Sequence, residues 1–341
     1  MNIKSDTIII ILLVAFLAAG CENTIIDDSE IGGRPGFPII GEYFYAAWGP
    51  NDRLAVIYVQ RTGNDESQNL PDTWGLYTIR TDGTDRQLVL LNSDVGSFIL
   101  DPVWSPDGEW IAFSAGGEIF KIRPDGSDLT RLTYGGESKF GPSWSADGKW
   151  IAYRVIWGAD ETRGLWMVSS EGDSVKQFRR PPRNEMCIDC GDLDRWVIDG
   201  GPHWSINSNE LTYVAFQNRI GSRHLAIYDT TTARVEFIYY SLSSIYNPSF
   251  SPDGCKILFF VAPDSRYDVR IGVINRDGSA LRWLREHAYN PSWSPDGKQI
   301  VYRLFSYRPE LFGTPGYGDL WIMNADGSGN RQITFSTGRK K

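Results

Sequence analysis

One motif recurs along this chain and leaves few folds open to it. Pro102-Val103-Trp104-Ser105-Pro106-Asp107-Gly108 leads into the apolar run Ile111-Ala112-Phe113. Near copies are Pro142-Ser143-Trp144-Ser145-Ala146-Asp147-Gly148 and Pro291-Ser292-Trp293-Ser294-Pro295-Asp296-Gly297. Pro248-Ser249-Phe250-Ser251-Pro252-Asp253-Gly254 carries Phe in place of Trp, Pro202-His203-Trp204-Ser205 is weaker, and Ala47-Trp48-Gly49-Pro50 is the most eroded. The aromatic anchors fall at positions 48, 104, 144, 204, 250 and 293. Ser-Pro-Asp-Gly is turn chemistry, because Pro pre-sets φ and Gly takes the left-handed position that follows. Each copy therefore reads as a hairpin closed by a three-residue loop with Gly at its bulge. The indole supplies a large apolar area with which one strand anchors into a neighbouring core.

A second hairpin follows each copy. Glu118-Ile119-Phe120-Lys121-Ile122, the turn Asp125-Gly126 and Arg131-Leu132-Thr133 form one, and Asp319-Leu320-Trp321-Ile322-Met323 with Asp326-Gly327 and Gln332-Ile333-Thr334 another. Two hairpins make four strands, A to D, and four-stranded repeats of about 40–50 residues are the signature of propeller blades. The predicted fold is all-β: a six-bladed β-propeller with four-stranded antiparallel blades over residues 43–338. The first strand A is expected around Tyr43 to Trp48 and the last strand D around Arg331 to Phe335. Closure then rests on packing between blades one and six, unless Phe37 to Ile40 add an outer strand to the last blade; those residues are equally able to pack on its rim.

The Pro-x-Trp-Ser-x-Asp-Gly pattern resembles the TolB-type, WD40-like propeller repeat known as PD40, over roughly residues 43 to 335. That resemblance implies a place in bacterial envelope assemblies. TolB also carries a separate N-terminal α/β domain, and residues 22–42 are too short to form a counterpart. Related propellers precede peptidase domains or act as lyases on pectic sugars, the latter with a histidine-rich metal site; this chain has three scattered histidines, His203, His224 and His287.

Residues 1–21 read as a targeting leader, with Lys4 at the basic end and an apolar run from Thr7 to Ala19, too short to span a bilayer comfortably. Leu17-Ala18-Ala19-Gly20-Cys21 resembles a bacterial lipobox, which implies cleavage before Cys21 and lipidation of that residue. Ala18 stands where Leu is commonest, and the alternative is an ordinary secretory peptide with Cys21 incidental. Residues 22–42 read as a tether, acidic at Glu22, Asp27, Asp28 and Glu30 and broken by Gly32, Gly33, Pro35, Gly36 and Pro38. Glu22 resembles the residue after the lipidated cysteine in lipoproteins sorted outward. The expected localisation is a bacterial membrane, the outer membrane favoured, with the propeller facing the periplasm or the cell surface and held by a lipid anchor only.

The net charge of −8 argues against nucleic acid and against adhesion to an anionic membrane surface. The terminal Gly338-Arg339-Lys340-Lys341 reads as a solvated tail.

Loop lengths break the symmetry of the ring. The A–B and C–D turns are short and share one face, whereas the B–C and D–A connections share the other and expand at 61–74, 179–201 and 305–318. Insertions concentrated on one face of a repeat array mark a binding face. Aromatic residues and Arg are the hot-spot types, so the partner-binding candidates are Trp74, Arg195, Trp196, Tyr267, Tyr307, Arg308, Phe312 and Tyr317. An aromatic sugar groove built from Trp74, Trp196, Tyr307 and Tyr317 is the alternative, and neutral decoration the blander one. Asp101, Asn247 and Asn290, together with Gly141 and Gly201, are placed just before strand A at the channel mouth, where the polar side chains are candidates for holding a ligand, a cation or water.

Cys187-Ile188-Asp189-Cys190 in an exported chain reads as a local disulfide. A redox motif would need a helix start beside a βαβ unit, and a metal site would need Asp192, Asp194 or His203 in addition. Cys255 is expected to be a buried free thiol at the start of a strand B. No G-x-S-x-G elbow, H-E-x-x-H motif or phosphate loop is present, and the Asp-Gly pairs lack EF-hand spacing. Those Asp side chains are expected to hydrogen-bond their own turns. The expectation is a non-enzymatic propeller without cofactor, metal or catalytic residues, binding a protein partner in the cell envelope; a glycan- or small-ligand-binding propeller or a lyase is the alternative.

Overall fold

The computed structural model describes residues 39–62, 73–157, 162–178, 196–217, 220–263, 269–305 and 318–335. Blade one holds β1 (Ile39–Trp48), β2 (Arg53–Thr62), β3 (Thr73–Arg80) and β4 (Gln87–Leu91), and blade two β5 (Ile99–Trp104), β6 (Ile111–Ala115), β7 (Glu118–Ile122) and β8 (Thr130–Arg131). Blade three holds β9 (Ser138–Trp144), β10 (Trp150–Trp157), β11 (Gly164–Ser169) and β12 (Val175–Gln177), and blade four β13 (Trp196–Trp204), β14 (Glu210–Gln217), β15 (Ser222–Asp229) and β16 (Val235–Ser241). Blade five holds β17 (Ser244–Phe250), β18 (Lys256–Ala262), β19 (Arg270–Asn275) and β20 (Arg282–Glu286), and blade six β21 (Ala288–Trp293), β22 (Gln299–Phe305), β23 (Gly318–Asn324) and β24 (Arg331–Gln332). Every sheet has four antiparallel strands in chain order. The first strands touch in succession, β1 to β5, β9, β13, β17, β21 and back to β1, so six blades close a ring around an axis lined by their A strands.

The core is divided into six apolar clusters, one at each junction between blades. Trp104 packs with blade-one residues Ala55, Ile57 and Leu76, and Trp144 with blade-two residues Ala112, Ile119 and Leu132. Trp204 packs with Ala152 and Leu165 of blade three, Phe250 with Val214 and Leu225 of blade four, and Trp293 with Leu258 and Ile271 of blade five. Trp48 lies against Val301, Leu320 and Ile322 of blade six. Each anchor thus crosses into the preceding blade, which is why a four-stranded sheet apolar on both faces is stable here and not alone. Strand B takes the deepest place: all five residues of β6 are buried.

Turn chemistry fixes the register. The Ser145 hydroxyl donates to Asp147 Oδ1 at 2.6 Å, that oxygen accepts the Lys149 amide at 3.1 Å, and Ser145 Oγ accepts the Trp150 amide at 3.0 Å. Ser105, Ser251 and Ser294 hold Asp107, Asp253 and Asp296 in the same way. In the C–D turns Asp82, Asp125, Asp277 and Asp326 accept from the residue two further on. The aspartates are spent on their own turns, as the spacing predicted. The loop is one residue longer than expected: the Ser105 amide still bonds the Trp110 carbonyl, at 2.9 Å, which leaves four residues between the strands. The Leu-Thr signature also has a cause. Thr133 Oγ1 accepts the Ile119 amide at 2.9 Å and donates to buried Glu118 at 2.6 Å, and Thr334 repeats the arrangement with Leu320 and Asp319.

One boundary differs from expectation. β1 begins at Ile39, where Ile39 and Ile40 pair with Thr62 and Arg61. These residues extend the first strand of blade one and add no strand to blade six. Closure rests on packing, with the Trp48 amide bonded to Ser292 Oγ at 3.2 Å across the junction. Phe37, Cys21, residues 1–38 and residues 336–341 lie outside the described residues. No helix among the described residues is long and apolar enough to cross a membrane.

Candidate functional site

The residues three places before the anchors do not precede strand A, as expected; they lie inside it. Asp101, Asn247 and Asn290 adopt φ of 51°, 47° and 48°, and Gly141 adopts 64°. At each the pairing with strand B slips, between Leu100 and Val103, Tyr246 and Ser249, and Tyr289 and Ser292. Asp and Asn tolerate this left-handed geometry better than other side-chain-bearing residues, and the prolines that follow reinforce the break. Their side chains run from blade to blade. Asn247 Nδ2 donates to Asn290 Oδ1 at 3.2 Å, and Asn290 Nδ2 donates to the Phe44 carbonyl at 2.9 Å. The Ser114 hydroxyl donates to the Leu100 carbonyl at 3.4 Å, and the Asp101 carboxyl lies near the Gly141 amide and the Arg154 guanidinium. Asn247 alone of the three is exposed.

Two arginines that the sequence reading passed over reach the same region. Arg154 and Arg303 occupy one equivalent place in strand B, six residues after the turn glycines Gly148 and Gly297. They belong to blades three and six, opposite each other in a ring of six. Arg154 donates to the Asp199 carbonyl of blade four, and Asp199 in turn pairs with Arg223 at 2.9 Å. Burial pushes the Asp101 carboxyl up while Arg154 pulls it down. Burial pushes the Arg154 guanidinium down while Asp101 and then Asp199 act against that. Burial, with Asp101 second, raises the Tyr45 hydroxyl above its ordinary value. Room for this cluster comes from Gly141 and Gly201, whose backbones meet: a Cβ on Gly141 would stand 3.0 Å from Gly201 Cα. An Arg at a matching offset in two otherwise apolar strands was the available sequence signal. Chemically the cluster is charge-compensated, and among the described residues no group of His, Cys, Asp and Glu is arranged to hold a metal ion.

The face carrying the B–C and D–A connections presents an apolar recess between blades one and two, lined by Phe44, Tyr45, Ile57, Trp74, Phe98, Ile99 and Leu100. Trp74 is the second residue of β3, half-buried, stacked on Phe44 at 4.9 Å and edge-on to Phe98 at 5.2 Å. Phe98 leaves 46 % of its surface open. Phe98 was missed because it sits in a short connection without any insertion. Trp196 opens β13, where its backbone pairs with Gln217. Arg195, Tyr267, Tyr307, Arg308, Phe312, Tyr317, Cys187, Cys190, Asp192 and Asp194 lie outside the described residues.

The histidines serve local contacts. His203 Nδ1 accepts the Phe250 amide at 3.3 Å, and burial pushes the ring down to about 4, so it is neutral with its proton on Nε2. Ser143 does the same for the Trp204 amide at 2.8 Å. His224 Nε2 lies 2.8 Å from the Ser222 hydroxyl. Cys255 departs from expectation: its thiol is exposed, because it sits in the A–B turn before β18 and not in the core.

No model of a known protein family matches the chain, and no curated protein matches it either. Solved structures do. A TolB structure from Agrobacterium tumefaciens aligns with a TM-score of 0.56 at 17% identity over 73% of this chain and 84% of that one. TolB from Acinetobacter baumannii aligns with a TM-score of 0.56 at 18% identity over 85% and 78%. An oligogalacturonate lyase from Vibrio parahaemolyticus aligns with a TM-score of 0.50 at 15% identity over 86% and 72%. The chain is a six-bladed propeller of the TolB-like kind in fold; identities this low say nothing of its activity.

Proposed function

We propose that the chain is a non-enzymatic, extracytoplasmic lipoprotein whose propeller binds a protein partner in the bacterial envelope. The observation that carries this reading is the Trp74–Phe98 shelf, an exposed Phe98 beside a half-buried Trp74 on the face where the chain inserts its long connections. Aromatic side chains offer large contact area at small entropic cost, as hot spots require. The A–B and C–D face instead consists of short turns whose polar groups bond one another. Lipidation at Cys21 and outer-membrane placement rest on the lipobox resemblance and on Glu22. The domain plan is a leader over 1–21, a tether over 22–38 and the propeller from Ile39, where β1 begins, to residue 338.

The lyase-like reading is weaker. His203 and His224 are engaged with Phe250 and Ser222, and Arg154 is neutralised by Asp101 and Asp199.

The test is crosslinking and recovery of partners from membranes with the wild-type chain, Phe98→Ala and the pair Tyr307→Ala/Tyr317→Ala. Loss of one recovered protein in either variant supports the reading, whereas unchanged recovery in both removes this face. Cys21→Ser is expected to release the protein from membranes; retention would remove the anchor. Saturable binding of oligogalacturonate would favour the glycan alternative.

A further inference from the structure

The most exposed large apolar side chains among the described residues are not spread evenly. Leu242, Tyr134, Tyr240 and Ile220 leave 73 %, 70 %, 68 % and 58 % of their surface open, and all but Tyr134 sit at one corner of blade four. Ile220 belongs to the connection from β14 to β15, where Gly221 turns the chain at φ of 68°. Leu242 belongs to the connection from β16 to β17. β15 and β16 are neighbours, with Arg223 opposite Ser241 at this end of the ladder, so the two connections leave the sheet side by side. Tyr240 stands opposite His224, one rung further in, and its ring stacks on that imidazole at 6.0 Å. The corner belongs to the B–C and D–A face and lies at the outer rim, because β16 is the outermost strand of its blade. The Trp74–Phe98 shelf of blades one and two is across the ring from it.

The chemistry of the corner is graded with depth. Two aliphatic side chains form the tip, a tyrosine stands one step behind them, and His224 Nε2 and the Ser222 hydroxyl, 2.8 Å apart, lie behind the tyrosine. The residues beside the tip are small and uncharged, Gly221 on one side and Ser241, Ser243 and Ser244 on the other. A bilayer surface accommodates this order: the hydrocarbon boundary takes up aliphatic tips, and the headgroup level suits a phenol that is apolar in body and polar at its end. A folded partner would need a shape matched to two protruding loops, whereas a fluid surface needs none. Charge points the same way. The turn aspartates Asp82, Asp125, Asp147, Asp277, Asp296 and Asp326 occupy the opposite face, so this acidic chain meets anionic lipid with least repulsion through the corner's side. We propose that the Ile220–Tyr240–Leu242 corner inserts into the headgroup boundary of a lipid bilayer, so that blade four rests on the membrane and the shelf across the ring stays open. The contact is weak and reversible beside a covalent lipid, and it goes beyond the anchor at Cys21. It rests on the envelope reading of the chain but requires neither lipidation nor a protein partner.

The experiment places a photoreactive benzophenone amino acid at position 242 of the full-length Cys21→Ser chain, mixes the protein with phosphatidylcholine vesicles and maps adducts by mass spectrometry after irradiation. Position 206 is the control, since Ile206 is also exposed but lies at the opposite end of the same blade, between β13 and β14. The expected result is a lipid adduct whose yield at 242 exceeds that at 206 several-fold. That yield should hold when salt is raised to about 0.5 M, because Ile220, Tyr240 and Leu242 carry no charge to screen. Ile220→Ser/Tyr240→Ser, a pair of changes at exposed positions, should lower the yield at 242 several-fold while the far-ultraviolet spectrum stays that of the parent. Equal yields at 242 and 206, a yield lost in salt, or adducts only to a second copy of the chain, falling in step with dilution, would each overturn the proposal. Partner recovery is read on blades one and two and lipid adducts on blade four, so this contact and the partner reading can each fail alone.

Discussion

Arg303 and Glu42 lie 3.7 Å apart across the junction of the last blade with the first, each with 2 % of its side chain exposed. The Arg303 guanidinium also covers the Phe44 ring at 4.7 Å, and Gly318 makes way for it. No strand is shared across this junction, so no backbone ladder holds the ring there; it is held by side-chain packing and by side chains bonded to backbone groups, as Ser292 is to the Trp48 amide. A buried pair is costly to form but costlier to break, because removing one member strands the other charge in a low dielectric.

Arg303→Ala is therefore expected to destabilise the fold by about 3 kcal/mol, read as a lower urea midpoint by tryptophan fluorescence. Glu42→Leu combined with Arg303→Met should restore most of the loss, since a matched apolar pair leaves no orphaned charge. If the single losses simply add in the double variant, the pair does not hold the junction.

Gly83 makes the same junction from the turn side. It adopts φ of 85°, and a Cβ there would stand 1.8 Å from the Ile333 carbonyl oxygen of blade six. Gly96 is the natural control, with φ of 64° and open space around it. Gly96→Ala should cost about 1 kcal/mol, the left-handed penalty alone. Gly83→Ala should cost at least twice that, because blade one's C–D turn must move away from blade six. Equal midpoints for the two variants would show that the close approach does not matter.

The pH dependence should carry the mark of His203. Its ring is neutral in the fold and pushed down to about 4 from an ordinary 6.5, so the unfolded chain binds a proton that the folded one refuses. The contribution to stability is complete above pH 6.5 and declines as the pH falls toward 4. The turn aspartates are also held down, as Asp147 is by the Ser145 hydroxyl and the Lys149 amide, but they start from about 3.8, so their stabilisation is lost below that window. His224 is lowered by burial as well and acts in the same direction. His203→Ser, which copies Ser143 and keeps an acceptor for the Phe250 amide, should flatten the loss between pH 6.5 and 4. An unaltered slope would assign it to His224 or elsewhere.

The repeat was legible because its residues act locally. Ser145, Asp147 and Gly148 close a turn whatever surrounds it, and Trp144 then has to find apolar cover in the next blade. The strand starts were not legible. Asp101-Pro102 and Asn290-Pro291 look like an interruption before a strand, and only the tertiary path shows that β5 and β21 run through the break. Arg154 and Arg303 carried only their matching offset as a signal: a charged residue within a buried strand has meaning only once its partners in the adjacent blades, Asp101 and Asp199 for Arg154 and Glu42 for Arg303, are seen beside it. Cys255 misled because the sequence places it one residue from β18, where a single step separates turn from core.

The anchors permit a last comparison within the molecule. Trp104 donates from Nε1 to the Ala47 carbonyl at 3.2 Å and Trp293 to the Ser249 carbonyl at 3.3 Å, while blade five uses Phe250 in the same place without any such donor. Gly49 lies flat beneath the Trp104 ring, where a Cβ would come within 2.4 Å. Trp104→Phe therefore removes one hydrogen bond and part of the contact on Gly49, and is expected to cost about 1–2 kcal/mol. Trp104→Ala empties the space between blades one and two and is expected to cost about 3–5 kcal/mol. Phe250→Trp asks the converse: the junction between blades four and five is packed around a phenyl ring by Val214, Leu225 and Ile257, so the larger ring should destabilise by about 1–3 kcal/mol in the same urea titration. A gain in stability from Phe250→Trp would mean that the six junctions are interchangeable, and that each anchor is chosen by the repeat and not by the blade it enters.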